Sequence, residues 1–147
     1  MDYKVGRLGR VIVARFDHRE DLLASMKTLC EEAGIGSAWF FLFGALTRGT
    51  LVVGPEEEII PPIPVKKEIE GPYEILATGS VARDEGEVSI HVHSSLGSKR
   101  ETLSGCIREK GEIYLVVECL ILEVDGLDLQ RKMDPLTGLK LLAFSSL

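Results

Sequence analysis

Cysteine is scarce in this chain, and its spacing builds no framework. Cys30, Cys106 and Cys119 make an odd count in 147 residues, with no C-x-x-C pair. That excludes a disulfide scaffold and a zinc ribbon, and it points to a reducing, cytoplasmic setting. Long apolar runs are also missing. The longest, over 38–46, is about half of what a membrane span requires, and the polar first ten residues contain nothing like the apolar centre of a signal peptide. Positive charge is in deficit, 17 Lys and Arg against 23 Asp and Glu, for a net charge of −6. A nucleic-acid footprint over the whole surface is therefore excluded, because phosphate binding needs a basic field. No G-x-S-x-G elbow, Walker loop or dinucleotide glycine fingerprint occurs.

What remains is an ordinary globular composition, 45% hydrophobic and 27% charged. The length suits a single domain over 1–147. A strand is expected over 10–16, where Val11 and Val13 alternate with Ile12 and Ala14, so that both faces read as buried. Asp17 followed by Glu20 has the form of a capping box. Leu22, Leu23, Met26, Leu29, Cys30 and Ala33 then recur at helical spacing up to a stop at Gly34. Further strands are expected over 37–43, 50–53 and 65–69, with a turn at 47–49. The prolines and glutamates of 55–64 read as a surface loop. Strands over 73–83 and 88–96 flank the turn Asp84-Glu85-Gly86, and Gly79 marks a bulge or close packing within the first. A polar loop over 97–103 and a long apolar strand over 113–124 complete the pattern. One principal N-terminal helix among many strands, without βαβ alternation, predicts an α+β domain with a bent, mainly antiparallel β-sheet.

The segment over 87–96, EVSIHVHSSL, carries the most chemistry. Strand side chains alternate, so His91 and His93 project from one face while Val88, Ile90 and Val92 take the other. Two imidazoles placed this way can share one metal ion. Cys106, on the chain returning after the loop, is the candidate third ligand, and a His-His-Cys set suits zinc with a fourth position open. The competing reading is a hydrogen-bonded histidine pair beside a core thiol. Cys30 and Cys119 lie on apolar stripes and read as core thiols, and His18 as a solvated residue. Glu101, Glu118 and Glu123 are candidate general bases for a zinc-bound water.

Taken together, GRVIVARF, DLLASMKTLCEEAGI, AWFFLFGALTRGTL, PYEILATGSVARDEGEVSIHVHSSLG and LDLQRKMDPLTGLKLL resemble the plants-and-prokaryotes conserved (PPC) domain in its standalone archaeal and bacterial form. The resemblance implies a strongly bent antiparallel sheet and a homotrimer. It also implies a metal site in which a third histidine follows the H-x-H strand; Ser104-Gly105-Cys106-Ile107 stands there instead, with cysteine in the histidine's place. Plant relatives carry a minor-groove-binding AT-hook arm, and the closest basic stretch here, over 4–10, lacks its proline and contiguous arginines.

Three functions follow as expectations. The first is a trimeric, zinc-binding module for a small anionic ligand, the second a DNA-associated regulator, the third a zinc-dependent hydrolase or lyase. In the closing segment, Asp134-Pro135-Leu136-Thr137-Gly138 has turn chemistry. That turn would aim Arg131 at the site as a clamp for a carboxylate or phosphate; the alternative for Arg131 is a surface salt bridge.

Overall fold

In the computed structural model, residues 1–144 are described. They form seven strands and one helix in the order β1 (Arg7–Asp17), α1 (Leu22–Glu32), β2 (Ala38–Pro55), β3 (Pro64–Asp84), β4 (Glu87–Gly97), β5 (Thr102–Asp125), β6 (Leu129–Met133) and β7 (Lys140–Phe144). The expected α+β class with a principal helix is corrected: 67% of the chain is strand and 8% helix, in a mixed sheet. Segments with turn chemistry turn out to be irregularities inside long strands. Residues 47–49 lie within β2, and residues 70–72 within β3, where the β2–β3 register slips between Leu46 and Arg48. A bulge bends a strand without ending it, so two expected strands become one at each place.

β2 pairs with β3 and β5, and β4 pairs with β3 and β5, all antiparallel. These four strands therefore close into a ring. β1 adds to the outer side of β5, and the β6–β7 hairpin joins through a parallel bridge between Arg83 and Gln130. Phe40, Leu42, Leu46, Leu51, Leu96, Ile113 and Ile121 fill the interior with 1% exposure or less. Gly79 shows why the strands can approach so closely. A Cβ there would lie 2.3 Å from both the His91 carbonyl oxygen and the Phe40 ring, so only glycine lets that ring seat.

α1 packs on β4 and β5 through Leu22, Met26 and Cys30. Its cap is Asp21, whose carboxylate accepts from the Ala24 N–H at 2.9 Å, and not Asp17. The Asp17 N–H does donate to the Glu20 carboxylate at 2.9 Å. Half of the expected capping box thus forms, but around a turn that precedes the helix. β1 is likewise not buried on both faces, since Val11 and Val13 are 55% and 80% exposed. As the outermost strand on that side, β1 has no layer over them. No helix among the described residues is long and apolar enough to cross a membrane.

Candidate metal centre

The type of turn joining β3 to β4 sets the register of the histidine strand. Glu85 and Gly86 both have positive φ, 53° and 91°, as a tight hairpin turn with the right twist requires. In the resulting ladder His91 lies opposite Ser80, His93 opposite Thr78, and, on β4's other side, His93 opposite Cys106. Directly paired residues share a face. The register thus brings both imidazoles and the thiol to the outer side of the ring.

His91 Nε2 and His93 Nε2 are 3.2 Å apart, and the three donor atoms all lie within 4.8 Å of one another. Two nitrogen ligands on one tetrahedral zinc stand about 3.3 Å apart, given Zn–N of about 2.0–2.1 Å. The imidazole pair already meets that spacing, which is also that of an N–H···N hydrogen bond. Burial, followed by Arg131, His93 and Arg108, pushes His91 down to about 4. Its ring is therefore neutral at pH 7 and keeps a lone pair to donate. Burial raises the Cys106 thiol, against the pull of Arg108 and Arg131. Two imidazoles and one thiol form a donor set that fits a borderline-soft divalent ion. Cys30 and Cys119 face the core, with Cys119 Sγ 3.9 Å from Met26 Sδ, as expected. His18 is exposed, but it is not only solvated: its Nδ1 accepts from the Leu115 N–H at 3.1 Å.

Beside these donors opens a cleft of about 730 Å³, between the 55–64 loop, the start of β5 and the β6–β7 hairpin. The hairpin turn is built as its sequence suggests. Asp134 accepts from the Thr137 N–H and hydroxyl at 2.8 and 2.6 Å, and Gly138 closes the turn at φ 67°. Arg131 then reaches Ser80, donating to its Oγ at 2.7 Å, and lines the cleft with His91. It makes no ion pair among the described residues, and Asp84 acts on it only from a distance.

Sequence reasoning missed Arg108. It follows Cys106 by two residues on the same strand face and lines the same cleft. The signal is the i, i+2 spacing from Cys106, and it is hidden because residues 102–112 carry no strand pattern of their own. Also missed were Lys66, Glu109 and Lys140 along the rim. The candidate bases are elsewhere: Glu101 bonds Lys67 and Tyr73, Glu123 pairs with Arg10, and exposed Glu118 sits opposite Phe43. Glu109 is the one carboxylate on the cleft wall among the described residues, and it is tied to Lys66.

The model of the Plants and Prokaryotes Conserved (PCC) domain matches residues 3–125. The fold is similar to that of a metal-containing protein from Archaeoglobus fulgidus, with a TM-score of 0.86, 27% identity, and 97% of this chain and 99% of that one covered. It is similar to a plant- and prokaryote-conserved protein of Pyrococcus horikoshii at TM-score 0.85 and 28% identity, over 100% of both chains. A Bacteroides thetaiotaomicron protein, provisionally named as DNA-binding, shares the fold at TM-score 0.74 and 18% identity, over 97% and 98%. No curated protein matches the chain.

Proposed function

The chain belongs to the Plants and Prokaryotes Conserved domain family, and from that premise we propose that it is a zinc-binding, homotrimeric module that takes a small ligand beside its ion. The observation that carries this reading is the convergence of His91, His93 and Cys106 within 4.8 Å on one sheet face. A zinc ion held by three protein ligands would offer its fourth position to a ligand atom. The protein's own residues do the remaining work. The neutral His91 donates a lone pair, and Arg131 is held by Ser80 at the edge of the cleft. The Archaeoglobus fulgidus relative, called metal-containing, supports the reading.

The trimer is supported by an apolar face that none of the described residues covers. Val13 lies opposite Leu120, Leu120 opposite Phe41, and Phe43 opposite Leu76, and all are exposed. A patch of this kind marks an interface. A DNA-binding reading gains no such support, because the net charge of −6 leaves no broad basic field of the kind that phosphate binding needs.

Elemental analysis combined with light scattering tests the proposal. The purified protein is expected to carry one zinc per chain at trimer mass. In the His91→Ala/His93→Ala protein the metal should fall below about a tenth of that, as expected when a site loses two of three ligands. Little metal in the parent protein, unchanged metal in the variant, or a monomer mass at micromolar concentration would refute the corresponding part.

A further inference from the structure

Four cationic side chains line the cleft: Lys66, Arg108, Arg131 and Lys140. Two are answered. Lys66 is ion-paired with Glu109, and Lys140 sits 2.7 Å from Asp84. The two arginines are not. Arg108 makes no hydrogen bond or ion pair among the described residues, and Arg131 spends one nitrogen on a neutral hydroxyl. The Arg131 Nε is buried and has no hydrogen-bond partner. Buried donors left in this state are rare, because leaving one unpaired costs stability. Carboxylates are not in short supply, since the chain has 23 of them against 17 Lys and Arg. Two positive charges facing one cavity therefore have no ion-pair partner among the described residues, with Asp84 acting on Arg131 only from a distance.

We propose, resting on the small-ligand reading above, that this cleft receives an organic phosphate monoester, its head held jointly by Arg108 and Arg131. Charge and oxygen count select the head. Two unanswered guanidiniums call for a dianion with enough acceptors for two forks, and a phosphate monoester brings a charge of about −1.5 to −2 and three oxygens. A monocarboxylate brings one charge and two oxygens. Volume and lining select the rest of the molecule. About 730 Å³ is in the range of organic-ligand pockets and far exceeds what inorganic phosphate fills. Between its charged side chains the wall is apolar, with Val52, Pro62, Pro64, Met133, Leu139 and Leu141. The ligand thus has an apolar or ring-like body beside its charged head.

Calorimetric titration of the purified protein with phenyl phosphate, benzoate and inorganic phosphate tests this. Phenyl phosphate should bind at least about tenfold more tightly than either of the others. Arg108→Gln and Arg131→Lys should each weaken it by about 10- to 100-fold, the effect expected when a charge-assisted bond is removed. Arg108 is exposed, so its substitution does not threaten the fold, and Arg131→Lys keeps the charge while removing the fork. Equal binding of benzoate, equal binding of inorganic phosphate, no binding of phenyl phosphate, or full affinity in Arg108→Gln would each overturn the proposal. The two readings can fail separately. Arginine-dependent binding in a protein that carries no zinc sinks the metal reading alone, and zinc without phenyl phosphate binding sinks the phosphate receptor alone.

Discussion

Two charged clusters on β5 stand four residues apart and are built on opposite plans. Glu112 is 8% exposed and fully answered: Arg19 is ion-paired with it and Lys110 lies 3.7 Å away. Next to it, Asp21 accepts from the Gly111 N–H at 2.9 Å while capping α1. Arg108, on the same strand, has no partner among the described residues, and the nearby Arg131 has a buried nitrogen without one. Between the clusters the β2–β5 register slips, from Gly49 opposite Gly111 to Thr50 opposite Arg108, and Glu109 takes φ 64°. The first cluster ties the helix to the sheet. The second leaves charge unanswered, at a cost to stability that the proposed ligand would relieve.

The largest expected effects come from the cysteines, which extend the comparison to thiols. Cys106→Ser should weaken metal binding by at least about tenfold, a loss that even outer-shell changes commonly produce. Cys119→Ser should leave metal binding untouched. It should instead cost about 1–3 kcal/mol of folding stability, because a hydroxyl is placed among apolar side chains. Competition with a chromogenic chelator and urea unfolding read the two quantities. Unchanged metal affinity in Cys106→Ser would mean that Cys106 is only another core thiol.

Why the helix, the histidine strand and Arg131 are legible in the sequence, and Arg108 and the Glu112 cluster are not, follows from the chain itself. Helical spacing marks Leu22, Met26 and Cys30, and strict alternation over 88–96 is enough to place His91 and His93 on one face. Cys106 is reached through the loop that returns the chain. Arg108 is invisible because S-G-C-I-R-E-K-G-E has no hydrophobic period. It is strand through its pairing with Thr50 of β2, while β4 pairs with this segment only as far as Cys106. The same cause hides the true length of β2 and β3, since the sequence signals for a bulge and for a turn are alike. The start of the helix is misplaced for a local reason. Asp17 and Glu20 do bond as a capping pair would, but Asp21 takes the cap four residues later.

A smaller effect separates the clusters by stability. Glu112→Gln should lower the urea midpoint with little change in slope, because Arg19 and Lys110 lose their counter-charge beside a buried position. Arg108→Gln should move stability by no more than about 0.5 kcal/mol, towards greater stability, as surface changes without a structural partner do. The direction follows from relief of repulsion, since Arg108 is among the groups that depress Arg131. A destabilised Arg108→Gln would show that Arg108 holds the fold.

The smallest effect lies in the acid limb. The hydrogen bond from Arg19 holds Glu112 below the ordinary carboxylate range, despite the opposing effect of burial. A carboxyl depressed in the folded state contributes stability above the unfolded value, about 4.3. That contribution is lost as pH falls through the lower, folded value, because the unfolded chain takes up its proton first. Wild-type stability should therefore fall through this carboxylate limb below about pH 4, beyond the earlier loss from His91, which burial pushes down to about 4, and Glu112→Gln should decline less steeply in the limb. The limb will not become flat, because Glu101 and Glu123 are depressed in the same way by Lys67 and Arg10. Arg108→Gln should leave the carboxylate part of the limb unchanged, because no carboxylate among the described residues is tied to Arg108, and should soften only the decline set by His91, which Arg108 helps to depress. Urea midpoints measured from neutral pH into the acid limb decide the matter. A slope in Arg108→Gln as shallow as that in Glu112→Gln would mean that Arg108 is paired in solution, and the contrast between the clusters would fail.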